Sequence, residues 1–155
     1  MISWNEEILI PVNIDLIWTL FDIENMQRIM PQVVETKVLE KKEAIIGSTY
    51  EQTYQEGKRV QKYIVTDLEH EDTPERKHNK SGFTLAKMFE VEVSYTLIKV
   101  NENETKFLYS GQNKPLNLIA RGMVKMMGNK KNNQVVADFI ELVKSEAIKD
   151  RDGVK

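Results

Sequence analysis

The feature that most constrains this 155-residue chain lies near its C-terminus. After Pro115, apolar residues recur at helical spacing from about 116 to 149: Ile119, Met123, Met126, Val136, Phe139, Ile140 and Val143. At ~1.5 Å per residue, a helix of that length runs about 45–50 Å, enough to lie across a whole sheet. Gly122 and Gly128 interrupt the stripe, and Gly128-Asn129 is a place for the helix to kink or split. A single long helix with one apolar face needs a broad partner to bury it.

The preceding residues read as that partner. Residues 87–100 are the clearest strand, with Phe89, Val91, Val93, Tyr95 and Leu97 alternating with Glu90, Glu92, Ser94 and Thr96. The turn Asn101–Glu104 leads into a further strand over 105–112. Upstream, strands are expected at 33–41, 48–56 and 59–69, with Glu56-Gly57-Lys58 as a hairpin turn. Residues 69–75, containing Pro74, read as a polar connection, and 76–83 as a weak, polar strand. The chain opens with a strand at 2–10, ended by Pro11. Asn13 then caps a short helix with Ile14, Ile17, Trp18 and Phe21 on one face. A second short helix starts at Asp22 or Glu24, carries Ile23, Met26, Ile29 and Met30, and stops at Pro31. Consecutive strands joined by short turns imply an antiparallel meander.

Composition narrows the function. Hydrophobic residues make up 41% and charged residues 30%, values of a folded domain. The length suits one domain, expected over 1–149, with a polar tail at 150–155. Net charge is −2, so nucleic-acid binding is not favoured. There are no cysteines, which removes disulfides, thiolate nucleophiles and Cys-based zinc sites. The N-terminus lacks the pattern of a secretory signal, and no apolar run approaches the ~20 residues of a membrane span. A cytoplasmic location without stable membrane insertion is expected.

The order of strand, two short helices, about six to seven strands and one long helix resembles the helix-grip fold. That fold belongs to the START-like superfamily (SRPBCC, including Bet v 1-like, polyketide cyclase/dehydrase and lipid-transport proteins). The segment Ile8-Leu9-Ile10-Pro11-Val12-Asn13-Ile14-Asp15-Leu16-Ile17-Trp18-Thr19-Leu20-Phe21 resembles the family's opening strand, proline and first helix. Asn25-Met26-Gln27-Arg28-Ile29-Met30-Pro31 resembles its second helix, although Met26 or Ile29 stands where an aromatic is usual. Gly47 with the tyrosine-rich strand after it, and Gly122 early in the last helix, also resemble the family. The resemblance implies an α+β fold in which a curved antiparallel sheet wraps the C-terminal helix. It further implies a cavity for a small hydrophobic molecule, such as a lipid, steroid or polyketide, and no cofactor.

In such a fold the inner sheet face and the near face of the helix line the cavity. The expected lining is Tyr50, Gln52, Tyr54, Tyr63, Phe89, Val91, Val93 and Tyr95 from strands, and Ile119, Met123, Met126 and Met127 from the helix. Methionine suits an adaptable apolar wall and equally suits ordinary core filling. Tyrosine hydroxyls supply fixed polar points in an apolar cavity, or reach solvent at a sheet edge. His78 or Asn79, on the polar strand, offers a polar contact; a solvated edge is the plainer explanation of that segment. His70 and His78 are the only histidines and match no metal motif. No serine sits in a Gly-x-Ser-x-Gly context, and no catalytic residue is assigned. Arg121, Lys125, Lys130 and Lys131 form a basic cluster on the last helix, either a solvated face or a contact for an anionic head group or membrane surface.

Three functions compete. The first is a carrier or sensor of a small hydrophobic molecule, acting as a monomer or weak homodimer. The second is a cyclase- or dehydratase-like enzyme, with Tyr95, His78 or Asp67 as its acid or base. The third is a co-chaperone-like interaction module, whose interior would be filled by large side chains.

Overall fold

The computed structural model describes residues 1–153, and Val154 and Lys155 of the expected tail lie outside the described residues. Strand β1 (Ile2–Ile10) is followed by α1 (Ile14–Trp18) and a 3-10 turn at Thr19–Phe21. A second 3-10 turn at Ile23–Asn25 leads into α2 (Met26–Ile29). Six strands follow: β2 (Val33–Glu40), β3 (Thr49–Glu56), β4 (Arg59–Asp72), β5 (Arg76–Leu85), β6 (Phe89–Asn101) and β7 (Glu104–Pro115). Helix α3 (Leu118–Arg151) closes the chain, ending two residues beyond the expected 149.

All seven strands form one antiparallel sheet in the order β1-β7-β6-β5-β4-β3-β2. β1 and β2 are therefore the two edges, although only α1 and α2 separate them in sequence. At about 4.8 Å per strand, those short helices must bridge the full width of a curved sheet. Their local signals are as expected. Asn13 Oδ1 accepts from the Asp15 amide at 2.9 Å, and Asn117 Oδ1 caps α3 through the Ala120 amide at 2.8 Å.

The apolar core sits at one end of this wrap. Ile10, Val12, Ile14, Ile17, Leu20 and Ile29 meet Leu97 and Phe107 of the sheet, with Val136, Ile140, Val143 and Ala147 of α3. Arg28 ties α2 to the last turns of α3. Its Nε donates to Glu146 Oε1 at 3.0 Å, and its Nη2 to Asp150 Oδ1 at 2.8 Å. Asp150, read as tail in the sequence, is thus held by an ion pair within the helix.

Two strands differ from the sequence reading. β4 runs on to Asp72, which shrinks the polar connection to Thr73–Glu75. β5 lies inside the sheet, paired along its length with β4 and β6, and is not a solvated edge. Its polarity is tolerated because partners satisfy it: Lys77 bonds Asp72 and Asp15, and Asn79 and Ser81 bond Asp67.

Helix α3 is bent at Gly128, whose φ of 69° and ψ of 171° are open to glycine and strained for other residues. The C-terminal half carries the buried stripe. Before the bend, the helix turns Ala120 and Val124 toward the protein and leaves its other faces in solvent.

Candidate functional site

Directly paired residues of an antiparallel sheet share a face, so the register identifies the surface turned toward α3. Tyr50 lies opposite Val65, Gln52 opposite Tyr63, and Tyr54 opposite Gln61. Phe83 lies opposite Val91, Ser81 opposite Val93, and Asn79 opposite Tyr95. A β-bulge interrupts β4 between Asp67 and Glu69. It shifts the alternation by one residue, so that Asp67 and then His70 face inward, while Glu69 faces outward to His78 and Lys80.

The inner face has two parts. The apolar part is aromatic. Tyr63 and Phe83 stack with ring centroids 4.5 Å apart, and Tyr95 stacks on Tyr109 at 5.6 Å. Phe21 and Phe139 close on Tyr95 and Tyr109 at 5.0 and 4.6 Å. Burial holds the Tyr63 and Tyr109 hydroxyls protonated, with pKa values near about 12, and lifts Tyr95 well above the ordinary value.

The polar part centres on Asp67, which is only 5% exposed. Tyr50 Oη donates to Asp67 Oδ2 at 2.6 Å. Asn79 Nδ2 and Ser81 Oγ donate to Oδ1 at 3.1 and 3.2 Å. His70 Nδ1 lies 3.2 Å from Asn79 Oδ1. Burial first, and then the Asp67 carboxylate, push the Tyr50 hydroxyl up to about 12. Three donors thus converge on this one carboxylate within an otherwise aromatic surface.

Tyr50, Gln52, Tyr54, Tyr63, Val91 and Val93 lie on this inner face half-buried, and Phe89 and Tyr95 lie on it more deeply. The structure places His78 on the opposite face. There its Nδ1 meets Thr96 Oγ1 at 2.7 Å and its Nε2 meets Glu69 Oε1 at 2.8 Å. The alternation of β5 that turns Asn79 inward turns His78 outward. Ile119, Met123, Met126 and Met127 do not cover the sheet. Ile119 is 72% and Met126 90% exposed, because the helix rests on Ala120 and Val124 instead.

His70, Ser81, Phe83 and Tyr109 of the sheet, with Trp18, Phe21 and Phe139 packed against it, are inner-face contributors absent from the expected lining. Phe83 belongs to a segment whose polarity masked its face, and the bulge that turns His70 inward has no local signature. Two shallow grooves, of about 450 and 650 Å³, lie on the outer sheet face with mixed polar and apolar linings. Among the described residues, no group of three or more His, Asp or Glu side chains is arranged to hold a metal ion. None of the described helices is long and apolar enough to cross a membrane.

No protein-family model matches the chain, and no curated protein matches its sequence. Solved structures match it over nearly its whole length. The aromatase/cyclase Zhui from Streptomyces sp. R1128 is 13% identical, covering 96% of this chain and 94% of that one at a TM-score of 0.71. Norcoclaurine synthase from Thalictrum flavum, solved in complex with dopamine and hydroxybenzaldehyde, is 10% identical, covering 96% and 87% at 0.65. Ara h 8.0201 is 14% identical, covering 96% and 98% at 0.63. The likeness is one of fold.

Proposed function

We propose that this chain, a protein of the START-like helix-grip fold, binds a small, largely apolar molecule on the inner face of its sheet, as a carrier or sensor. The observation that supports this most is the uncovered aromatic surface. Tyr54, Tyr63, Phe83, Val91 and Val93 are half-buried, opposite a helix segment that leaves them open. A concave apolar wall over a few fixed polar groups is the usual make-up of a small-molecule site.

The first half of α3 supplies a cover. Ile119, Met123, Met126 and Met127 form an exposed apolar stripe immediately before the bend at Gly128. Rotation about that glycine would bring the stripe toward the sheet, and flexible methionines would adapt to the bound shape. The open face counts against an interaction module whose interior is packed with large side chains. The fold is shared with ligand-bound norcoclaurine synthase, and a fold by itself does not carry an activity.

The test is fluorescence titration with anilinonaphthalene sulfonate, an apolar probe, on the wild type and on Phe83→Glu. The expected result is saturable one-to-one binding that the buried charge removes, with far-UV circular dichroism unchanged. Absence of saturable binding by the wild type, or undiminished binding by a folded Phe83→Glu variant, overturns the reading.

A further inference from the structure

Asp67 sets the direction of a short hydrogen-bonded chain that ends at a histidine. An ionised carboxylate only accepts, so every group bonded to Asp67 must donate to it. The Asn79 amide therefore turns its NH2 toward Asp67 Oδ1, at 3.1 Å. Its carbonyl oxygen is left facing His70 Nδ1 at 3.2 Å. A carbonyl oxygen cannot donate, so the proton of that bond belongs to Nδ1. Neutral His70 thus presents an unprotonated Nε2, the reverse of the tautomer that predominates in free histidine.

Nε2 is free to use that lone pair. Among the described residues it has no hydrogen-bond partner, and it is not one of the buried unpartnered polar atoms, so solvent reaches it. His70 stands opposite Asn79 on the inner face, in the row that continues to Tyr95. Its ring centroid is 6.4 Å from the Trp18 indole. His78 offers a contrast, since both of its nitrogens are occupied on the outer face. Around His70, the charged inner-facing groups are Asp67 and Asp72 on β4, Lys77 on β5 and Asp15 on α1. Lys77 is paired with Asp72 and Asp15. β6 contributes only Tyr95 and Leu97 there.

We propose that His70 Nε2 is the polar anchor of the inner-face site, accepting a hydrogen bond from a ligand hydroxyl, so that the bound molecule is a phenol or enol on an aromatic or alicyclic body. This rests on the inner-face binding reading and sharpens it. A neutral imidazole nitrogen is a far stronger acceptor than the phenolic oxygens around it. The neighbouring aromatic rings supply the apolar contact that such a ligand body needs. Asn79 and Asp67 act as positioning residues, holding the tautomer through one another.

Two measurements test the assignment. Nitrogen-15 NMR of the imidazole at alkaline pH reads the tautomer directly. The Nδ1–H form is expected for wild type and a mixture for Asp67→Leu, whereas an Nε2–H form in the wild type overturns the assignment. Titration with 2-naphthol and 2-methoxynaphthalene, which differ in whether they can donate, reads the contact. The wild type is expected to prefer naphthol about tenfold, the worth of one hydrogen bond. His70→Phe is expected to abolish the preference while holding methoxynaphthalene affinity within about twofold. The tautomer reading and the comparison of the two probes are both made on the unmodified protein, which keeps the test valid should the variant fail to fold. Equal affinity of the wild type for the two probes refutes the anchor alone, and failure of both to bind refutes the inner-face site itself.

Discussion

The Tyr50 hydroxyl donates to Asp67 Oδ2 at 2.6 Å, joining β3 to β4 beneath the aromatic surface of the sheet. Removing that donor leaves a buried carboxylate with two hydrogen bonds in place of three. Tyr50→Phe is expected to destabilise the fold by about 2 kcal/mol, as for other hydrogen bonds to charged groups. Urea unfolding at neutral pH checks this.

Alkaline pH tests the same residues as a group. The folded-state values of Tyr50, Tyr63 and Tyr109 rise from 10.0 to about 12. For a group whose folded value is raised, the associated stability is fully present below the unfolded value and is lost as pH climbs through the folded one. Stability should therefore hold to pH 10 and decline between 10 and about 12. Phenolate absorbance of these tyrosines should lag behind that of an exposed tyrosine. Ionisation of all five tyrosines near pH 10, with the protein folded, would contradict the burial described here.

Arg28→Ala is expected to cost about 2 kcal/mol, because Glu146 and Asp150 lose their shared guanidinium in a largely buried corner. The Glu146 carboxyl is held below its ordinary 4.5, chiefly by the Lys149 ammonium and, against the effect of burial, also by Arg28. A lowered folded value stabilises above the unfolded one, and that contribution fades as pH falls through the folded value. The gap between wild type and variant should thus narrow in acid, as read from urea midpoints across a pH series.

Gly111→Ala is expected to destabilise by about 1–3 kcal/mol, the usual cost of overpacking. A Cβ at that position runs into the Trp4 indole and comes within 2.7 Å of the Glu92 carbonyl oxygen. Since part of the obstruction is backbone, Trp4→Leu in the same chain should rescue it only partially. Thermal unfolding of the single and double variants checks the order.

Gly128→Ala addresses the bend in α3. No neighbour obstructs a side chain there, so the cost is conformational, and a non-glycine residue relieves it by adopting helical angles. Higher helicity by circular dichroism and altered binding of anilinonaphthalene sulfonate are the expected outcomes.

The elements were legible in the sequence because their signals are local. The alternation Phe89, Val91, Val93, Tyr95, Leu97 names a strand and its inner face without help from the rest of the chain, and Asn13 marks where the first helix begins. Gly128-Asn129 marked the bend for the same reason, since glycine reaches angles that other residues avoid. The order of these elements was enough to anticipate an antiparallel sheet of about six to seven strands with a long C-terminal helix, and the sheet has seven.

Facing and partnership were decided only by the tertiary structure. β5 carries polar residues on both sides, so no periodicity shows that Asn79 and Ser81 turn inward and His78 outward; pairing with the apolar face of β6 settles it. The bulge after Asp67 changes which residues of β4 share a face, and it exists only in the register between β4 and β5. Along α3, the apolar residues 119, 123, 126 and 127 form a helical stripe indistinguishable in sequence from a buried one. The packing of Ala120 and Val124 rotates that stripe away from the sheet. Hydrophobic spacing determines which side of an element is apolar, while what that side meets depends on contacts between residues far apart in the chain.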